Sequence, residues 1–132
     1  MPLHIIADDK RMGWLPSWLP NAYIRFENAV YDNAHNYCPN YHGGYWEFAE
    51  DDATQARFMY PHTDQPMLHV INADNYFEGE LTPVGFGMGV CLIALSQLSF
   101  LFQNDASISV AHHRLYRCAI EHGSPELLAF ID

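Results

Sequence analysis

Basic side chains are scarce in this sequence. Six Lys and Arg stand against sixteen Asp and Glu, a formal net charge of −10 with His neutral. A field of that sign repels phosphate backbones, so direct nucleic-acid binding is not expected. Cysteine is scarce as well: Cys38, Cys91 and Cys118 are odd in number and widely spaced. That pattern excludes a disulfide framework and fits a reducing, cytoplasmic setting. There is no phosphate-cradling Gly-rich loop, no G-x-S-x-G elbow and no H-E-x-x-H pair, which removes the most legible nucleotide-binding, hydrolase and zinc-protease signatures. A secretory leader is not expected either, because Asp8, Asp9, Lys10 and Arg11 interrupt the opening segment.

What is present is a long apolar run. From Val84 to Phe102 no residue is charged, and a helix apolar on every side is either the centre of a soluble core or a membrane span. Thr82 can cap its first turn and Pro83 suits the first helical position. Gly85, Gly87 and Gly89 weaken the first turns but allow close approach of another backbone. Ser96, Gln97 and Ser99 add polar groups, and no Lys or Arg cluster anchors either end. The run is therefore expected to be a core helix, with no membrane association. A length of 132 residues with 49% hydrophobic and 14% aromatic side chains is enough for one compact domain, 1–132.

The remaining elements follow from local chemistry. Trp14-Leu15-Pro16 and Trp18-Leu19-Pro20 form a near-repeat in which each Pro pushes its predecessor toward extended geometry, which predicts an arm over residues 1–20 laid across the core. Asn21 can cap a helix whose buried stripe is Tyr23, Phe26, Val30, Ala34 and Tyr37, ended by Pro39. Four short strands are expected around 45–50, 57–60, 67–71 and 76–81, joined by polar turns, as an antiparallel meander. Two helices close the chain, one reaching His122 and stopped by Gly123, the other started by Ser124-Pro125-Glu126. The expected class is α+β: a meander of three to four strands on a central apolar helix, flanked by N- and C-terminal helices.

The acidity is concentrated. Residues 26–80 carry ten acids against Arg57 alone, and Glu47, Glu78 and Glu80 are predicted to share the open face of the meander. Such a surface either attracts a basic partner or merely keeps the protein soluble. Chemistry proper is thin. His35, Cys38 and His42 invite a metal reading, and a helix end could bring the first two together, but Pro39 and two Gly residues break the geometry and no fourth ligand is spaced to join them. His112 and His113 diverge by about 100° on a helix and cannot grip one metal. No catalytic residue, metal or cofactor is expected; a small metal-dependent hydrolase using Glu78, Glu80 and His69 is the alternative.

Two motifs carry a resemblance. Tyr41 through Phe48, with Gly43-Gly44-Tyr45-Trp46-Glu47-Phe48 at its centre, and Asn72-Ala73-Asp74-Asn75-Tyr76-Phe77-Glu78-Gly79-Glu80-Leu81, running into the apolar helix, resemble the ArdB/KlcA antirestriction family. Cys91 to Leu98, His113 to Ala119 and Phe130-Ile131-Asp132 follow in the family's order, so the likeness spans nearly the whole chain. One departure is Pro83-Val84-Gly85-Phe86-Gly87, where the family has a small, Ala-rich and partly acidic helix start. The resemblance implies a compact α+β protein of plasmids, phages or genomic islands, without a cofactor. Such a protein defends incoming DNA in the host cytoplasm against type I restriction-modification. Its implied partner is the host type I complex or an associated DNA-processing protein. Acting without catalysis, it would use exposed positions on and beside the sheet, Tyr45, Glu47, Asp74, Glu78 and Glu80, together with Asp132.

Overall fold

The computed structural model describes residues 3–132. Strand β1 (Leu3–Ile5) leads through a 3₁₀ turn (Asp8–Lys10) into α1 (Arg11–Trp18) and α2 (Tyr23–Tyr37). Strands β2 (Trp46–Asp51), β3 (Ala56–Pro61), β4 (Leu68–Asn72) and β5 (Phe77–Leu81) follow. Helices α3 (Pro83–Leu101), α4 (Ala106–His122) and α5 (Pro125–Ile131) complete the chain.

Helix α3 is the centre of the α+β fold. The Thr82 hydroxyl accepts the Gly85 N–H at 3.0 Å, and Pro83 takes the first turn. Ten residues between Phe86 and Leu98 are buried, enclosed by β3, α2, α4 and α5. The glycines permit this. An ideal Cβ on Gly87 would lie 2.3 Å from the Met59 carbonyl oxygen, and one on Gly89 would lie 2.7 Å from the Phe130 ring. Cys91 links the same two layers: the Met59 N–H donates to Sγ at 3.4 Å and Sγ–H returns to the Met59 carbonyl at 3.5 Å. Burial pushes the Cys91 thiol up to about 12, so it stays neutral and unreactive.

The strands do not form one meander. Strands β1, β2 and β3 make an antiparallel three-stranded sheet, and β4 and β5 make a separate hairpin. Pro61 ends β3 and Pro66 precedes β4, so the connection carries two residues without a ladder donor. The edge of β2 pairs instead with β1, whose three residues are too few to show an alternating pattern. Glu47 therefore lies on one sheet and Glu78 and Glu80 on another, and the predicted common acidic face is not formed.

The first sheet is covered on both sides. Trp14 of α1 stacks on Phe48 at 5.0 Å and donates Nε1–H to Glu50 at 2.7 Å, while α3 and α4 pack against β3. That accounts for the consecutive buried pairs Phe48-Ala49 and Phe58-Met59, which a one-sided strand would not show.

The predicted extended arm is a helix. Pro16 sits inside α1, where local preference opposes it by about 3 kcal/mol, but Trp14 and Leu15 are buried and their packing prevails. The second proline acts as expected: α1 ends and Leu19 leaves the helical region immediately before Pro20. Met1 and Pro2 of that arm lie outside the described residues. Asn21 does not cap α2, which starts uncapped from Ala22; its amide faces Asp105 at 3.5 Å instead. Gly43 and Gly44 both take positive φ ahead of β2, and Ser124 caps α5 through the Leu127 N–H.

Candidate functional site

The β4–β5 turn and the end of α5 are tied together. Buried Asn72 donates its side-chain amide to the Phe130 carbonyl at 3.0 Å, and Asn75 donates to the Ala129 and Phe130 carbonyls at 3.1 and 3.0 Å. The same asparagines shape the turn, Asn72 Oδ1 accepting the Asp74 N–H and Asn75 Oδ1 accepting the Phe77 N–H. The turn closes through Tyr76 at φ +62°, a left-handed position, the residue being 94% exposed.

Beyond this tether lies a groove of about 490 Å³ between the turn, α3, α4 and α5. Buried Leu92 with half-buried Ile93 and Ile131 gives it an apolar base. Phe100 (74% exposed) and Tyr116 (38% exposed) give it aromatic sides. Asp74 and Asp132, both exposed, supply its charge, and none of its lining side chains is Lys or Arg. His112 stacks on Tyr116 at 6.1 Å, and burial together with His113 pulls its imidazole below the ordinary value. Burial and the Asp74 charge push the Tyr37 phenol up, keeping a neutral hydroxyl in the groove. Gln97, another lining residue, is held by a reciprocal amide pair with buried Asn33 at 3.1 and 3.4 Å. A further basin of about 310 Å³ continues along the α3–α4 seam and shares Ser96, His112 and Tyr116.

Of the six positions expected from sequence, Asp74 and Asp132 line this groove and the other four do not. The Tyr45 hydroxyl accepts from Arg11 and donates to Asp8 at 2.7 Å, with the Arg11 guanidinium 4.7 Å from its ring. Glu47 is half-buried, 3.6 Å from His62. Glu78 pairs with His69 at 3.0 Å and Glu80 stands directly across the hairpin from His69. The Glu78 and Glu80 side chains sit in the open on their strand, an arrangement suited to an ion pair in water and without the enclosure that tunes an acid/base pair. His35 lies edge-on to Tyr41 at 4.8 Å, and burial raises the Cys38 thiol. Among the described residues no group of three or more His, Cys, Asp or Glu could hold a metal ion.

The aromatic sides of the groove were missed at the level of sequence. The available signal was apolar residues off the buried stripes: Phe100 and Leu101 at the end of α3, and Val110, Tyr116 and Ile120 on α4.

A second cavity, of about 570 Å³, lies beside the start of α3 and includes Pro83, Val84, His62 and Gly123; none of the six expected residues lines it.

Comparison with known proteins places this architecture. A solved structure of the KlcA and ArdB proteins, described as a novel fold with antirestriction activity against type I DNA restriction systems in vivo but not in vitro, superposes with a TM-score of 0.83. That likeness covers 100% of this chain and 96% of the other at 28% identity. YubI of Escherichia coli K12, a putative antirestriction protein, is 25% identical over 113 residues, 85% of this chain and 76% of its own. YfjX of the same strain, which is uncharacterized, is 29% identical over 131 residues, 98% of this chain and 82% of its own. Residues 39–132 match the family described as antirestriction protein, and the chain belongs to that family.

Proposed function

We propose that this protein relieves type I restriction of incoming DNA in the host cytoplasm. It binds a protein of the restriction-modification complex, or a DNA-processing protein associated with it, and makes or breaks no covalent bond. The observation that carries this reading is the likeness to the KlcA/ArdB structure over the whole chain. At Pro83–Gly87, where the local sequence departs from the pattern the resemblance implies, the cap and helix still form.

Two physical features support action through protein contact. The net charge of −10 disfavours a DNA backbone as the direct ligand. The described surface offers an acidic, aromatic-sided groove of about 490 Å³, a shape suited to a protein segment. The KlcA and ArdB activity is seen in vivo but not in vitro; carried over to this chain, that favours an action that depends on a component of the cell.

The test is the plating efficiency of unmodified phage on a host with an active type I system. Expression of the chain raises plating by at least about tenfold and leaves plating on a non-restricting host unchanged, whereas unchanged restriction contradicts the reading. Metal analysis of purified protein separates it from a metal-dependent hydrolase built on Glu78, Glu80 and His69, because that reading requires stoichiometric metal.

A further inference from the structure

We propose that the groove bounded by the β4–β5 turn, α3, α4 and α5 is the docking site for a cationic, partly apolar segment of a partner protein. A Lys or Arg of that segment engages Asp74 and Asp132 while a neighbouring apolar side chain covers Ile93 and Ile131. This rests on the reading of the chain as a binding protein and adds the face it uses and the chemistry it holds.

Charge complementarity selects the occupant. Asp74 and Asp132 face a groove whose lining contains no Lys or Arg, and burial disfavours the positive form of His112. Nothing in the groove's own lining balances the two carboxylates, so a cation from outside is favoured there. Apolar and aromatic surface beside the acids adds the second requirement. Phe100 and Tyr116 are exposed at 74% and 38%, side chains that stack on a guanidinium as well as on apolar groups. The second basin, continuous through Ser96 and Tyr116, lengthens the groove along the α3–α4 seam and suits an extended segment rather than a single small ion.

The walls are fixed before binding. Asn72 and Asn75 hold the turn to α5, and the Asn33–Gln97 pair holds α3 to α2. Such preorganisation limits the ordering cost of association. A second copy of the chain is a poor occupant. Two copies each carry −10, so their fields repel at any contact between them.

The experiment uses a fluorescein-labelled nonapeptide alternating Arg with Leu and Phe. Binding to the full chain is followed by fluorescence anisotropy and mapped by amide chemical shifts. The expected result is saturable, salt-sensitive binding with shifts at Ile93, Tyr116 and Ile131. The D74N/D132N double variant weakens it about tenfold, and Phe100→Ala also weakens it. The E78Q/E80Q pair, which removes the same charge from the hairpin surface, leaves it within about twofold. Equal binding to D74N/D132N, equal loss in E78Q/E80Q, or sedimentation as a dimer through this face overturns the assignment. Absence of peptide binding by a chain that still relieves restriction removes the groove assignment and leaves the antirestriction reading standing. Groove binding by a chain that leaves restriction intact does the reverse.

Discussion

The Asn72 side-chain amide reaches the Phe130 carbonyl at 3.0 Å across 58 positions of sequence. With the two bonds from Asn75 to the Ala129 and Phe130 carbonyls, it joins the hairpin turn to the last helix and sets Asp74 and Asp132 on one groove. Asn72 is only 7% exposed, so its replacement leaves a buried carbonyl with fewer donors. Asn72→Ala is expected to lower unfolding free energy by about 1–3 kcal/mol in urea titrations. Peptide binding in the groove weakens with it, because the turn is then held to α5 by Asn75 alone.

Glycines on two helices give opposite expectations. A Cβ at Gly87 meets the Met59 carbonyl oxygen at 2.3 Å and the Tyr60 Cα at 2.6 Å, backbone atoms that cannot swing aside. Gly87→Ala therefore costs about 3 kcal/mol or more by separating α3 from β3. Gly13, inside α1, has nothing within 4 Å of its ideal Cβ. Gly13→Ala raises stability by about 0.5–1 kcal/mol through reduced unfolded-chain entropy. Thermal unfolding of the two variants side by side checks both signs.

Tyr76 and Gln55 occupy left-handed backbone positions, at φ +62° and +58°. Left-handed geometry costs a non-glycine residue about 1–2 kcal/mol, of which glycine's greater unfolded freedom returns about half. Replacing either with Gly is expected to stabilise the protein by about 0.5–1 kcal/mol. Only Tyr76→Gly is expected to weaken peptide binding, through loosening of the turn that carries the groove residues Asp74 and Asn75; Tyr76 itself does not line the groove. Unfolding titrations paired with peptide binding separate the two effects.

Asp51 sets an expectation for pH. Burial alone raises its carboxyl, but the Thr54 hydroxyl and N–H with nearby His122 outweigh it, and the net shift is downward. The Thr54 hydroxyl donates to Oδ2 at 2.6 Å. A carboxyl lowered in the folded state adds stability above its unfolded value, and that contribution disappears as pH falls through the folded value. Asp105, lowered by its bond from Ser107 at the start of α4, acts in the same direction. Stability measured from pH 6 downward is expected to hold until the ordinary carboxylate range and then decline. Asp51→Asn makes that acid limb shallower and costs about 1–2 kcal/mol at neutral pH by weakening the Thr54 bonds.

Much of the helical framework is legible in the residues themselves. Thr82-Pro83, Ser124-Pro125, Pro39 and the Gly43-Gly44 pair act locally, through caps, missing donors and positive φ, and the structure places each as those rules require. What escaped is set by distant contacts. Pro16 is helical because Trp14 packs on Phe48, and Asn21 is drawn to Asp105, 84 positions away. β1 is recognisable as a strand only once the edge of β2 is there to pair with it. The groove has the same origin. Asp74 and Asp132 are visible as exposed acids, but their meeting depends on Asn72, Asn75 and the approach of α5 to α3 across Gly89. No periodicity in the chain encodes that meeting.

The most direct measurement compares plating of unmodified phage on a type I-restricting host that expresses, at matched levels, the wild-type chain, D74N/D132N or E78Q/E80Q. The account predicts that wild type and E78Q/E80Q relieve restriction, and that D74N/D132N, folded to the same stability, loses at least about tenfold of that relief. Full relief by D74N/D132N would contradict the role given to the groove, and no relief by wild type would contradict the antirestriction function itself.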